Sequence, residues 1–567
     1  MNQGSALWLA IILGSGFFLR LWGIDFGLPN TEARPDEGVL VRKALAVADG
    51  DLNPHFFNYP SFHIYTLAGL FSAYYVMGWL SGGFLSTQDF LLQHFIDPSP
   101  IYLTGRLLNA FLGTATVFLT YLLARQLGGI KIGLFSAAFL SVSFLHVRDS
   151  HYLTVDVPAT FYLLLSVVLL LRFFDRKHYS WLIVSALFAG LAVSTKYNLA
   201  ILVTVVMAYF AYYQSQQTFD RDRKWVHVTY HTLIFAAVSV FAAVCSTPYA
   251  VLDAETFLHD VMSERQHFAA GHGLNLGWGW SYHALKTLPV AMGWIAYGLS
   301  CVGCILLFRS GGLHPLIPTI ILSYLAVAGS GKTVFFRYMI PILPFLCVAA
   351  GYGSVRLFEF FKVKNSWSIV ATTLIVIFSA HSSVRLGMLL VRTDTRIMAA
   401  DWIERNIPSG SKIAMVGSDF GYPQIHPSKE WLRQQFDDLR RAGKSARGIA
   451  VKKQLPFYPP DPNYYIVSVR PSNPLALSTI RRANLQELMA DGVDWVVTQQ
   501  HSLPYSQIDS NLSLELDLLS DKVVAFSSLT SEESKALFEM TDAFYLPYSG
   551  FDSVNRPGPN ISIHTLK

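Results

Sequence analysis

Long apolar runs, each near 20 residues and almost free of charge, constrain this chain more than any other feature. A hydrocarbon core about 30 Å thick needs about 20 apolar residues of helix per crossing, and every backbone N–H and C=O inside it must be satisfied within the segment. Such runs fall near 5–24, 101–124, 130–147, 157–174, 179–195, 197–213, 229–247, 286–308, 313–329, 336–358 and 367–390. Only 14% of the 567 residues are charged, against about 25% in a soluble protein. The pattern predicts a polytopic α-helical membrane protein with about eleven transmembrane helices. The lipid bilayer is therefore a partner of the chain.

The basic residues test this list. Arg125 and Lys131 fall in one short connection, and Arg172, Arg176 and Lys177 in the next alternate one. Arg221, Arg223 and Lys224 follow, then Arg309, then Arg356, Lys362 and Lys364. Under the positive-inside rule these connections are cytoplasmic, the N-terminus is inside and the C-terminal region is outside. One further apolar stretch, Phe62 to Phe84, breaks the alternation if it crosses. It carries His63, Tyr65, Tyr74, Tyr75 and Trp79, and reads as an interfacial or re-entrant helix on the outer face. The run from Tyr179 to Tyr213 would extend about 52 Å as one helix, too far for one crossing. It must fold back, with Lys196 at the outer bend.

The net charge of +5 is modest and its basic residues mark topology, so nucleic acid is not an expected partner. Cys245, Cys301, Cys304 and Cys347 all lie in apolar segments, which argues against a disulfide framework or a zinc site. The first apolar stretch has no basic leader and no clear small-residue cleavage site, and reads as a retained anchor.

Past Val391 the composition changes. Asp394 to Asn406 reads as an amphipathic helix, and Lys412–Val416, Tyr464–Val469 and Asp494–Thr498 as short strands. Lys429 to Lys453 reads as helical surface. Two domains are expected: a transmembrane catalytic domain over 1–390 and an extracytoplasmic α/β domain over 391–567.

On this topology the outer side collects acids and cations next to span ends, where charge is expensive. Asp36 and Glu37, in Arg34-Pro35-Asp36-Glu37-Gly38, form an acidic pair about a dozen residues past the first span. Such a carboxylate can act as a general base. It can equally be a loop acid ahead of the helical pattern Val39 to Ala48. Asp156 precedes Pro158 at the outer start of a span, where an N-cap is the plain alternative. Lys196 can snorkel to water or clamp a phosphate, and Arg337, in Phe335-Phe336-Arg337-Tyr338, can do the same with a bidentate fork. Arg265, His267 and His272 lie in an outer segment with Gly271 and Gly273, read as a loop over the site. No second half of a metal site accompanies those histidines, and neither metal nor cofactor is expected.

Together these residues resemble the GT-C glycosyltransferases, in particular the protein O-mannosyltransferase and lipid A aminoarabinose transferase group. The resemblance rests on Asp36-Glu37 in the first outer loop, Asn58-Tyr59-Pro60-Ser61, Gly105-Arg106-Leu107, Asp156 before Pro158, Thr195-Lys196-Tyr197 and Phe336-Arg337-Tyr338-Met339-Ile340-Pro341. The segment Asp394 to Gly410 is similar to the stretch after the last span in bacterial members. The resemblance covers roughly 1–420. It implies a polyprenyl- or dolichyl-phosphate sugar donor and an inverting single displacement onto a hydroxyl. By analogy Asp36 is the base, Glu37 and Asp156 shape the acceptor and sugar site, and Lys196, Arg337 and Arg106 hold the donor phosphate. The chain lacks the β-trefoil insert of the eukaryotic mannosyltransferases and has an α/β domain instead, so a glycan or lipid acceptor stands beside a protein one. The expected location is a bacterial inner membrane with the site on its outer face. The rival reading is a transporter or flippase, whose signature would be mid-membrane charge and broken helices.

Overall fold

A computed structural model describes residues 3–217, 224–271, 274–469, 485–508, 510–531 and 534–567. Each of the eleven apolar runs has a helical counterpart. Among the described residues, seven helices are long and apolar enough to cross a membrane. Two further helix pairs meet the same criteria only together and are bent at their junctions, and Tyr179–Val193 and Leu316–Ala328 are apolar but shorter. Arg221 and Arg223 lie outside the described residues.

The chain divides into two compact units, passing between them after residues 22, 39, 69, 104 and 385. The first holds Met1–Trp22, Leu40–Gly69 and Gly105–Arg385. It contains α1 (Gln3–Leu21), most of α2 (Pro35–Ala48), the start of α3 (Phe62–Leu80) and, after α4 (Thr87–Ile96) of the second unit, most of α5 (Ser99–Gly128). There follow α6 (Ile130–Val142), α7 (Phe144–Ser150), α8 (Asp156–Arg176), α9 (Tyr179–Val193), α10 (Leu199–Gln217) and α11 (Lys224–Ser246). After the short α12 (Tyr249–Leu252) come α13 (Ala254–Ala270), α14 (Gly279–Tyr282), α15 (Leu288–Met292), α16 (Trp294–Arg309), α17 (Leu316–Ala328), α18 (Leu343–Phe360) and α19 (Asn365–Leu390).

Small residues let these helices meet backbone to backbone, since lipid supplies no hydrophobic drive between them. A Cβ on Gly303 of α16 would lie 1.8 Å from the Ala349 carbonyl oxygen of α18, and one on Gly353 of α18 would lie 2.5 Å from the Leu299 oxygen. Hydroxyls supplement the packing: Ser185 of α9 donates to the Ser166 carbonyl of α8 at 2.7 Å. α6 and α7 bend by 60° at Ser143, whose hydroxyl donates to the Ala291 carbonyl at 2.8 Å. The 115° bend before α16 falls at Gly293, in a left-handed conformation (φ 80°) that suits glycine. α3 is not among the helices that meet both length and hydropathy for a span.

The second unit holds Gly23–Val39, Leu70–Thr104 and Leu386–Lys567. Its sheet has strand order β2-β1-β3-β7-β4, built from β1 (Lys412–Val416), β2 (Tyr465–Val469), β3 (Trp495–Gln500), β4 (Ser520–Phe526) and β7 (Asn560–Leu566). A separate pair is formed by β5 (Leu537–Phe538) and β6 (Pro547–Ser549). β1 runs parallel to both β2 and β3, while β7 runs antiparallel to β3 and β4. Both faces are covered, so β1 reads as a continuous apolar run. Ile413 and Met415 pack with Ile403 of α20 (Thr395–Asn406), whereas Ala414 and Val416 pack with Leu488 of α23 (Leu485–Ala490) and Leu516 of α24 (Ser510–Leu519). The expected helical surface is α21 (Lys429–Arg441) and α22 (Arg447–Gln454).

Two local expectations need correction. The helix of the acidic pair starts at Pro35, so Asp36 and Glu37 sit inside its first turn and do not precede it. Proline favours the first helical position because its φ is already helical and its missing N–H is not needed there. The stretch carrying Arg265 and His267 is not a loop: both lie on α13, which ends at Gly271 with φ 76°. Its low hydropathy looked loop-like, but Glu, Leu, Met, Arg, Gln and Ala are good helix formers. His272 lies outside the described residues.

Candidate active site

In the first unit the bend between α9 and α10 brings Lys196 to Asp156. Lys196 Nζ donates to a carboxylate oxygen of Asp156, and both side chains are buried. Lys196 is therefore no snorkelling surface residue. Asp156 is not the N-cap of α8 either. Val155 takes that place with helical backbone angles, and the Asp156 carboxylate turns to the lysine. It remains in the first turn, where the helix dipole favours an acid.

The pair is walled by aromatic and amide groups. The Lys196 ammonium lies 5.3 Å from the centre of the Tyr338 ring, a cation–π contact. Tyr338 belongs to the 3-10 turn Phe336–Ile342, which also carries Arg337, 9% exposed, with its guanidinium 4.8 Å from the Phe335 ring centre. Asn198 Nδ2 donates to the Tyr324 hydroxyl at 2.8 Å, and Tyr324 lies within the electrostatic reach of Asp156.

α5 supports the turn that leads into Asp156. Asn109 Nδ2 donates to the carbonyls of Tyr152 and Thr154 at 2.6 and 2.7 Å. Gly105 lets the helix approach Leu153, whose Cδ1 would be 2.1 Å from an added Cβ. Arg106, next to it, is fully buried.

His63 was read as one polar tooth of an interfacial helix. The structure buries it at 1% exposure, within electrostatic reach of Asp156, and neither ring nitrogen has a hydrogen-bond partner among the described residues. Leaving such a group unpaired costs about 1–3 kcal/mol. Backbone pairing of Phe62 N–H with the Ser194 carbonyl, 3.1 Å, ties this end of α3 to the Lys196 bend. A histidine at the second position of an otherwise apolar helix was the available signal.

α13 is joined to residues 53–58 by its acids. Asn53 donates to Asp253 at 2.8 Å, Phe57 N–H to Asp260 at 2.8 Å, and Asn58 to Glu264 at 2.6 Å. At its other end the Thr333 hydroxyl donates to the His267 carbonyl at 2.8 Å. Arg265 is exposed and His267 half-buried. Among the described residues, no three His, Cys, Asp or Glu side chains are grouped so as to hold a metal ion.

Asp36 and Glu37 belong to the second unit. Glu37 is fully buried, whereas Asp36 keeps 27% of its side chain exposed. Arg34, 2% exposed, stands 3.4 Å from the Asp36 carboxylate and 3.0 Å from that of Asp542. A second buried guanidinium follows. Arg396 Nε donates to Asp394 at 2.9 Å, and its Nη1 reaches the carbonyls of Phe420 and Glu32 at 2.7 and 3.3 Å. Burial opposes the Arg396 charge, but Asp394, Tyr545 and Glu32 hold its pKa above the ordinary value.

The family model for dolichyl-phosphate-mannose-protein mannosyltransferase matches residues 77–248, a segment that includes Arg106, Asp156 and Lys196. The oligosaccharyltransferase of Archaeoglobus fulgidus in its apo form superposes with TM-score 0.53 at 11% identity, over 92% of this chain and 73% of that one. ArnT from Cupriavidus metallidurans bound to undecaprenyl phosphate superposes with TM-score 0.51 at 13% identity, over 99% and 97%. The fold is that of the GT-C glycosyltransferases. An uncharacterized protein of Aquifex aeolicus (strain VF5) is 39% identical over 92 residues, 16% of this chain and 18% of that protein. The chain is thus a multi-pass membrane protein of GT-C fold with a C-terminal sheet-containing unit, as the sequence resemblance implied.

Proposed function

We propose that this chain is an inverting glycosyltransferase that moves a sugar from a polyprenyl- or dolichyl-phosphate donor to a hydroxyl of a glycan, lipid or protein. The observation that carries the reading is the buried Asp156–Lys196 pair beside the Arg337–Tyr338 turn. It stands in a fold whose solved neighbour ArnT is bound to undecaprenyl phosphate.

Asp36 takes the proton of the acceptor hydroxyl as its oxygen attacks the anomeric carbon. The bond to the phosphate oxygen breaks and the lipid phosphate leaves as an anion, stabilised by Lys196, Arg337 and Arg106. An inverting displacement requires base and leaving group on opposite faces of the sugar. Asp156 orients Lys196 and, with Glu37, shapes the sugar and acceptor site. Arg265 and His267, on α13, cover the site. Residues 1–390 carry the chemistry, and 391–567 lie outside the membrane with the active face. In a bacterium this is the periplasmic side of the inner membrane.

The test is incubation of the purified protein in nanodiscs with a radiolabelled undecaprenyl-phosphate sugar. Release or transfer of labelled sugar with inversion is the expected result. Liposome uptake of intact donor without bond cleavage would instead mark a transporter.

A further inference from the structure

The second unit places a strained loop of the C-terminal chain directly behind the acidic pair. Asp542 lies 508 residues from Arg34, yet its carboxylate and its backbone carbonyl both accept from the Arg34 guanidinium, at 3.1 Å each. The same guanidinium stands over the Phe544 ring at 4.9 Å. Arg34 therefore divides its donors between Asp542 on one side and Asp36 on the other.

Two residues after Asp542 the backbone enters the left-handed region at successive aromatic residues, Phe544 with φ 41° and Tyr545 with φ 70°. Bulky residues visit this region rarely, and such conformations persist only where the surroundings over-determine them. Here the surroundings do. Phe544 N–H donates to the Tyr505 hydroxyl at 3.1 Å. The Tyr545 hydroxyl bonds Ser506 at 2.5 Å and Gln499 at 3.1 Å, and Arg396 lies 5.2 Å from its ring centre. Gln499 lies near the end of β3 and Arg396 in the first turn of α20, so the loop is anchored to the framework of the sheet. Strain held this firmly, next to a partly exposed acid, points to a functional device.

We propose that residues 541–545 are a positioning element for Asp36: Asp542 holds Arg34 in place, and Arg34 sets the position and charge environment of the Asp36 carboxylate. This rests on the reading of Asp36 as the base. Asp542 and Arg34 are positioning residues, because they act through Asp36. Glu37 shares the first turn of α2 with Asp36, Tyr505 lies within electrostatic reach of Asp542, Tyr545 and Arg396, and Arg396 within reach of Glu32 and Asp394. Asp542 draws part of the guanidinium's donor capacity away from Asp36. Removing Asp542 turns more of the Arg34 charge on Asp36 and makes it a weaker base. Removing Arg34 makes Asp36 a stronger base but leaves it unplaced.

The test reads Asp36 directly. Full-length protein in nanodiscs is labelled with a carbodiimide and a glycine ester from pH 3 to 8, and the Asp36 peptide is quantified by mass spectrometry. Arg34→Gln should raise the labelling midpoint by about one unit or more. Asp542→Asn should lower it, and Asp542→Glu should restore the wild-type value. Wild-type midpoints in both Arg34→Gln and Asp542→Asn would overturn the proposal. If Asp542→Asn does not fold, Arg34→Gln decides alone. In the transfer assay, the acid limb of kcat/KM should move with the labelling midpoint while KM for donor stays within about twofold. Because labelling needs no substrate, shifted midpoints without any sugar transfer would leave the linkage standing and remove the transferase reading. Wild-type midpoint and wild-type kcat in Asp542→Asn would do the reverse.

Discussion

Removing one partner of the Asp156–Lys196 pair should cost far more than removing both. The two side chains are 2% and 8% exposed and in direct contact. At an effective dielectric of about 20, two unit charges in contact attract by about 4 kcal/mol or more. Much of that offsets the desolvation of two charges, so the intact pair contributes little net stability. A single substitution leaves the other charge buried and alone, which costs about 3–5 kcal/mol. Lys196→Met and Asp156→Leu should therefore each destabilise the protein by about 3 kcal/mol or more, and the double variant should regain most of the loss. SDS-induced unfolding in mixed micelles, followed by tryptophan fluorescence, measures the four corners of the cycle. Lys196→Met should also weaken undecaprenyl phosphate binding about tenfold or more, the effect of one charge-assisted hydrogen bond. Asp156→Leu should weaken that binding less, because the ammonium survives but loses the carboxylate that orients it. Single variants within about 1 kcal/mol of wild type and an additive cycle would refute the claim of a buried, coupled pair.

Four further outcomes are expected. Asp36→Asn should lower transfer by about 10²–10⁴ while undecaprenyl phosphate binding survives. An N-terminal helix role alone would leave turnover unchanged, since Asn serves there as well as Asp. Burial holds the His501 imidazole down at about 4 against an ordinary 6.5, and its Nδ1 accepts from Leu503 N–H, so the folded state binds fewer protons than the unfolded one between those values. The stability of the β3 region should thus be full above pH 6.5 and fall by up to about 3 kcal/mol toward pH 4, as hydrogen exchange corrected for intrinsic rates can read, with a flatter profile in His501→Gln. Gly303→Ala should push α16 from α18 and cost about 1–3 kcal/mol or more, because the atom in the way is a backbone oxygen; an unchanged SDS midpoint would contradict this. In a background lacking the native cysteines, a thiol at Ser409 should react with an impermeant maleimide from outside sealed cells and one at Lys364 should not.

Local chemistry made most of the fold legible. A span announces itself by length and hydropathy, so all eleven apolar runs became helices, including two that are bent and two that are short. β1 was read to the residue because both of its faces are buried. β4 was missed because most of this edge strand faces water, and β7 although Ile561 and Ile563 alternate with polar neighbours. The α13 segment looked like a loop because its weak hydropathy hid helix-forming residues.

For the candidate site, the sequence alone determined which residue types stand at span ends, Asp156, Lys196 and Arg337, and in the first outer segment, Asp36 and Glu37. Charges beside apolar runs are visible in one dimension. It also determined that Lys196 sits at a bend, since 35 apolar residues exceed one membrane thickness. Only the tertiary structure decided that Lys196 meets Asp156, 40 residues away, and that neither the capping nor the snorkelling role applies. It alone left the His63 imidazole buried without a partner among the described residues, and brought Asp542 to Arg34 across 508 residues. Hydropathy and helix signals act over one or two turns of chain. The pairing of buried charges depends on which side chains the packed helices and sheet bring within about 4 Å of one another, and no local pattern records that distance.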